Sequence, residues 1–151
     1  LLIIALTLSL SFHEFGHAIV AKWQGDDTAQ RAGRLTVNPL AHIDPLGLLM
    51  VVLIGFGYAK PVPTDPRNFK SPISDLLVAA AGPLMNLLLA FVTWNIFLYF
   101  RVNGWENLGA LTFFTILAQI NLLLMVFNFL CHPAILMQEL LKCTESHNGT
   151  Y

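Results

Sequence analysis

Residues 1–23 read LLIIALTLSLSFHEFGHAIVAKW, an apolar run that contains two histidines and one glutamate. About 20 residues at a rise of 1.5 Å cover the roughly 30 Å of a bilayer's hydrocarbon core, so this run is long enough to span a membrane as a helix. Ionisable side chains are costly in hydrocarbon, and those found within a span mark a functional site that faces protein or water. The run therefore predicts a membrane-spanning helix with a polar site in its middle.

The three ionisable residues in the middle of this run have the spacing of a zinc site. His13 and His17 are four residues apart, so on a helix they share a face and two imidazoles can converge on one tetrahedral Zn²⁺. Glu14 lies one step around the helix from His13, where it can take a proton from a water that the metal activates and later return it to a leaving amine. The pattern predicts a zinc hydrolase, and a buried hydrogen-bonded polar cluster is the alternative that spacing leaves open.

The composition of the whole chain indicates a membrane protein. The 151 residues suffice for one domain, 56% of them are hydrophobic and 11% are charged, whereas an ordinary soluble domain has about 25% charged residues. We therefore expect a lipid bilayer around the chain, and the net charge of -1 argues against nucleic acid as a partner. Cys131 and Cys143 form no CxxC pair, which argues against a structural zinc knuckle. Because residue 1 already lies in the apolar run, we expect the natural N-terminus to lie upstream.

Two more segments, 76–100 and 108–130, are apolar and long enough to span a bilayer. Residues 46–57 form a shorter apolar run with three glycines, and a run of that length is more often re-entrant than spanning. Residues 24–45 and 58–75 are polar or rich in proline and are predicted to be loops. The predicted fold is all-α, a polytopic membrane protein with about three full spans plus a short re-entrant or spanning segment.

The distribution of basic residues predicts the orientation. If 46–57 returns to the side it started from, six cations lie on one side of the membrane and Arg101 lies on the other. These six are Lys22, Arg31, Arg34, Lys60, Arg67 and Lys70. The positive-inside rule then places the side with six cations, and the opening of the site, in the cytoplasm. If 46–57 spans, the two sides are closer to even and the orientation stays open.

Five segments match the pattern of a known family in the same order along the chain. They are HEFGH at 13–17, GRLTVNPLAHIDPLG at 33–47, GYAKPVPTDPRNF at 57–69, AAGPLMNLLLA at 80–90 and NLLLMVFNFL at 121–130. Together these segments resemble the site-2 protease family, and particularly its small bacterial members. The zinc motif alone is moderately specific, whereas this ordered set of matches is highly specific.

The resemblance covers residues 1–130, the expected protease core. It implies an intramembrane zinc metalloendopeptidase of the bacterial cell membrane, with one Zn²⁺ per chain, that hydrolyses peptide bonds of membrane-spanning protein substrates. It implies His13 and His17 as zinc ligands and Glu14 as the catalytic base. It also implies that Asn128 aids substrate binding or stabilises an oxyanion, and an interhelical hydrogen bond is the alternative role for this residue.

The end of the chain departs from the family pattern. The family has an Asp-Gly pair shortly after this asparagine, and that Asp is its third zinc ligand, whereas the corresponding positions here are about Leu136 and Met137. No Asp follows Asp75, so residues 131–151 are predicted to be a divergent tail. His132 is the nearest candidate for a third ligand. The missing Asp keeps open a second interpretation, a catalytically inactive relative that binds transmembrane helices without cutting them.

Three other features carry alternatives. His42 and Asp44 could form a second metal site, but hydrogen bonds to loop backbone are the favoured interpretation. Asn86 could line the catalytic cavity or satisfy the backbone freed by Pro83. Residues 60–63, Lys-Pro-Val-Pro, could offer an extended edge to an unwound substrate strand or serve as a plain connector. The sequence identifies neither a particular substrate nor an oligomeric state.

Overall fold

The computed structural model describes residues 1–42, 44–54 and 60–131, and all regular structure within them is helical. The elements in chain order are α1 (Leu2–Trp23), α2 (Thr28–Arg31), α3 (Pro39–His42), α4 (Pro45–Ile54), a 3-10 turn (Pro66–Asn68), α5 (Ser74–Val102) and α6 (Leu108–Cys131). The predicted all-α fold is therefore confirmed for the part of the chain that the structure describes.

Three of the described helices are long and apolar enough to cross a membrane, namely Leu2–Trp23, Ser74–Val102 and Leu108–Leu130. They coincide with the three predicted spans to within two residues at each end. Helix α5 packs along both α1 and α6, and α1 also contacts α6. The three helices thus pack against one another in pairs.

The packing between the long helices uses small residues. Ala5, Ala18 and Ala21 of α1 are fully buried, whereas large apolar side chains such as Phe91 and Leu123 are each 67% exposed. A Cβ on Gly16 of α1 would lie 2.8 Å from the carbonyl oxygen of Ala81 on α5, so the close approach requires a residue without one. Small residues at the interface and large apolar residues outside are the distribution expected of helices that pack in lipid.

His42 and Lys60, which flank the apolar segment 46–57, lie beside each other. The backbone N–H of Lys60 donates to the carbonyl of His42 at 2.9 Å, so the chain returns to the point from which it left. The ten-residue helix α4 is about 15 Å long, roughly half the thickness of a hydrocarbon core. The contact between these flanking residues supports the re-entrant version of the predicted fold.

Asp26, which follows α1, anchors the loop that leads to α5. Its buried carboxylate accepts hydrogen bonds from the backbone N–H of Asp65 at 2.7 Å and from the amide of Asn68 at 3.0 Å. Burial by itself would raise the pKa of Asp26, but these bonds and those from Thr28 outweigh it and hold the pKa below its ordinary value. The loop is thereby fixed beside the end of α1.

Candidate metal centre

The two histidines of α1 converge through the same ring atom. His13 Nε2 and His17 Nε2 lie 3.1 Å apart, and the ring planes are close to perpendicular at 81°. In a tetrahedral zinc site with Zn–N bonds of about 2.0–2.1 Å, two ligand nitrogens lie roughly 3.3–3.4 Å apart. The observed separation is close to that value, so both imidazoles can bind one metal ion with little movement.

The orientation of the His17 ring is set by a backbone group of α5. His17 Nδ1 lies 2.6 Å from the carbonyl oxygen of Val78. A carbonyl can only accept, so Nδ1 carries the ring proton and Nε2 of the neutral ring keeps its lone pair. Histidines that bind metals commonly donate the second ring N–H to a carbonyl or carboxylate in this way. His17 is therefore held in the tautomer that zinc requires.

Gly82 of α5 provides the space in front of the two rings. A Cβ at this position would lie 2.7 Å from His13 Nε2 and closer still to His17 Nε2. The sequence alone does not indicate which side chains this glycine accommodates. Two convergent imidazole nitrogens in a cradle that even a methyl group would fill fit the requirements of a zinc ion.

The carboxylate of Glu14 is positioned by the loop before α5. Glu14 is half-buried, and its Oε2 accepts a hydrogen bond from the backbone N–H of Val62 at 3.0 Å. Because Pro61 and Pro63 have no N–H, Val62 supplies the one backbone donor of residues 61–63. In this structure that donor is engaged by Glu14, so it is not free to pair with a substrate strand.

The described hydrogen bond of Asn128 stays within its own helix. Asn128 donates its amide N–H to the carbonyl of Leu124 in its own helix at 2.7 Å, and its catalytic role stays a prediction. His132 lies outside the described residues. Within residues 1–42, 44–54 and 60–131, no group of three His, Cys, Asp or Glu side chains could hold a metal ion. The third ligand therefore stays a prediction.

The structure brings Asn86 directly to the histidine pair. Its side chain is fully buried, and its amide lies 3.0 Å from His13 Nδ1. Gly82 and Asn86 are four residues apart on α5, so they share the helix face that meets α1. This spacing was the available signal, since a polar residue one turn from a glycine in an apolar span indicates a face packed on protein.

His42 and Asp44 bond to loop backbone, as predicted. His42 is buried and its Nε2–H donates to the carbonyl of Thr36 at 2.8 Å. Asp44 accepts from the backbone N–H groups of Leu46 and Gly47 and so caps the start of α4. The favoured interpretation of this pair is confirmed.

The family model of Peptidase family M50 matches residues 1–105, which contain α1, its histidine pair and all of α5. The chain belongs to Peptidase family M50. This family is the site-2 protease family, so the resemblance predicted from the five segments is confirmed. No solved structure matches the chain.

Curated relatives of this M50 chain carry metalloprotease names. It is 44% identical over 138 residues to "Putative zinc metalloprotease YwhC" of Bacillus subtilis, a match that covers 87% of the chain and 63% of that relative. It is 37% identical over 95 residues to "Putative zinc metalloprotease Rip2" of Mycolicibacterium smegmatis, covering 60% of the chain and 37% of the relative. The chain thus spans less than two thirds of the length of these relatives.

Proposed function

We propose that the chain is an intramembrane zinc metalloendopeptidase that hydrolyses peptide bonds of membrane-spanning proteins. The observation that carries this proposal is the convergence of His13 and His17 to an Nε2–Nε2 distance of 3.1 Å within a helix long and apolar enough to cross a membrane. Membership of Peptidase family M50 and the names of the relatives support the same reaction class.

His13 and His17 would hold one zinc per chain through their Nε2 atoms. His132 is the proposed source of the third ligand, because it follows α6 directly in the sequence. Zinc bound at this position would supply Lewis acidity, which lowers the pKa of a coordinated water and polarises the carbonyl of the scissile peptide.

Glu14 is the proposed general base. Its Oε2 accepts from the N–H of Val62, and its other oxygen takes the proton from the attacking water. The same oxygen then delivers this proton to the leaving amine. Asn128 is proposed to donate its amide N–H to the oxyanion, which requires it to release the carbonyl of Leu124.

The proposed location is the bacterial cell membrane, with the site opening towards the cytoplasm. The hydrogen bond between Lys60 and His42 supports a segment that returns, and the bond from Lys70 N–H to the carbonyl of Gln24 joins the second loop to the end of α1. The six basic residues named above therefore lie on one side of the proposed spans, and Arg101 lies at the far end of α5.

The test is cleavage of a transmembrane peptide by the full-length protein in zinc-loaded liposomes. The wild-type protein should cleave the peptide, and Glu14→Gln should lower the rate by at least about 100-fold while zinc stays bound, because only the base is lost. Glu106→Gln is the matched control, since Glu106 is exposed beyond the far end of α5. Full activity of Glu14→Gln would exclude the proposed mechanism.

The second candidate is a relative that binds transmembrane helices without cutting them. It is favoured by the sequence, which has no Asp after Asp75 to serve as the third zinc ligand of the family pattern. Chelator-sensitive cleavage by the wild-type protein would exclude this candidate. Retention of a transmembrane peptide without cleavage, by protein that carries less than about 0.1 zinc per chain, would favour it.

A further inference from the structure

The hydrogen bonds around the histidine pair form one continuous chain from α5 through α1 and back to α5. Asn86 Nδ2 lies 3.0 Å from His13 Nδ1, His13 Nε2 lies 3.1 Å from His17 Nε2, and His17 Nδ1 lies 2.6 Å from the carbonyl of Val78. The Val78 carbonyl and the Asn86 amide nitrogen fix the direction of every proton in this chain, because the first only accepts and the second only donates.

In this arrangement His13 is in the wrong tautomer for a metal ligand. Its Nδ1 accepts from the amide of Asn86, so its ring proton lies on Nε2 and is donated to His17 Nε2. A protonated ring nitrogen has no lone pair for zinc. Binding through Nε2 requires the ring proton on Nδ1, and Nδ1–H then requires an acceptor in place of the amide N–H.

Asn86 can supply that acceptor without moving its backbone. Its Oδ1 is buried and has no hydrogen-bond partner among the residues that the structure describes. A half-turn of the amide about its last side-chain bond exchanges the positions of oxygen and nitrogen, so that Oδ1 accepts from His13 Nδ1–H. Either orientation bonds one polar atom of the amide to His13, so the turn itself changes the hydrogen-bond count little.

We propose that Asn86 is a positioning residue that selects the tautomer of His13 and turns its amide when zinc binds. The inference rests on the proposed zinc site. In one orientation the amide keeps the two histidines bonded to each other, and in the other it presents both Nε2 lone pairs to the metal. A carboxylate at this position would hold only the second orientation, and an apolar side chain would hold neither.

The experiment measures zinc affinity of the full-length protein in detergent micelles by competition with a chromophoric chelator. Asn86→Leu removes the acceptor and should weaken zinc binding by about 10–100-fold, as expected for the loss of a hydrogen-bond partner of a metal-binding histidine. Asn86→Asp supplies an acceptor only and should bind zinc at least as tightly as wild type. Asn121→Leu is the matched control, because Asn121 is equally buried against α1 but bonds to Ser9, and its zinc affinity should stay within twofold of wild type.

Two results would overturn the proposal, namely zinc affinity of Asn86→Leu within twofold of wild type, or Asn86→Asp as weak as Asn86→Leu. A wild-type protein that binds no zinc would instead refute the proposed function itself. Nitrogen-15 NMR of histidine in the wild-type protein gives a readout that needs no variant to fold. His13 should carry its proton on Nε2 in chelator-treated protein and on Nδ1 in zinc-loaded protein, and Nδ1 protonation in both samples would contradict the turn of the amide.

Discussion

Two buried asparagines face helix α1 from its two neighbours and differ in what they meet there. Asn86 on α5 and Asn121 on α6 are both fully buried, and the Oδ1 of each is without a hydrogen-bond partner among the described residues. Asn121 donates to the hydroxyl of Ser9 and to the carbonyl of Leu117, both at 2.8 Å, whereas Asn86 meets a ring nitrogen of His13. Asn121 therefore joins two helices, whereas Asn86 is the residue proposed above to determine which ring nitrogen of His13 carries the proton.

The difference extends along the two helices. Val78, Gly82 and Asn86 follow one another at intervals of four residues on α5, so a single stripe supplies every α5 contact described above for the histidine pair. The contact of α6 with Ser9 lies one turn further towards the start of α1. The described contacts of the histidine pair thus lie at the α1–α5 interface, whereas the bond between Ser9 and Asn121 joins α1 to α6 outside that pair.

The largest effect should come from filling the cradle on the α5 stripe. Gly82→Ala places a methyl group 2.7 Å from His13 Nε2, so the rings must move and zinc affinity should fall by more than about 100-fold. Gly109→Ala on α6 is the control, because among the described residues its Cβ would meet only Asn107 Oδ1 at an ordinary 3.5 Å. Chelator competition measures both variants, and equal zinc affinity for the two would remove the distinction between the interfaces.

A smaller effect, on stability, is expected from Asp26, which holds the loop that leads to α5 beside the end of α1. Asp26→Asn removes the charge that binds the N–H of Asp65, and this should cost about 2 kcal/mol of stability at neutral pH. Because the pKa of Asp26 is lowered in the folded protein, its contribution is fully present above the unfolded pKa of about 3.8 and is lost as the pH falls through the lower folded value. Unfolding in mixed micelles at pH 7 and near pH 3 measures the difference.

Asp27→Asn is the matched control for Asp26. Asp27 pairs at 2.9 Å with Arg31, whose side chain is 78% exposed, and such surface pairs contribute about 0–1 kcal/mol. If the two variants lose the same stability, or if the effect of Asp26→Asn does not shrink below pH 3.8, the anchoring role of Asp26 is wrong.

The smallest effect tests the α6 side. Ser9→Ala and Asn121→Ala should show a coupling of about 0.6 kcal/mol in a double-mutant cycle, since interhelical hydrogen bonds in membranes average near that value. Ser11 bonds only to the carbonyl of Thr7 among its described partners, so Ser11→Ala should be additive with Asn121→Ala. Zinc affinity should be unchanged throughout, and a drop would extend the zinc site to α6.

The sequence predicts the spans and the histidine pair because both depend only on the type and the spacing of side chains along the chain. The apolar runs could be read directly, and the four-residue spacing placed His13 and His17 on one face. For segment 46–57 the sequence left two alternatives, re-entrant or spanning, because hydrophobicity does not determine on which side of the membrane a short apolar segment ends. The hydrogen bond between Lys60 and His42 favours the re-entrant alternative.

The contacts that orient the site could not be predicted. The carbonyl of Val78 and the N–H of Val62 are backbone groups that nearly every residue possesses, so no residue type marks them. Asp26 has the sequence signature of a residue that ends a helix, and its role as an anchor depends on a partner 39 residues away. Such contacts arise only when packing brings distant segments together.

The most direct test of the central claim is zinc X-ray absorption on the purified full-length protein, together with its zinc content. We predict about one zinc per chain, with at least two imidazole nitrogens at about 2.0–2.1 Å. His13→Ala and His17→Ala should each remove imidazole scattering and most of the bound metal. A spectrum without imidazole, or zinc content unchanged in both variants, would contradict the assignment of this histidine pair as the metal site.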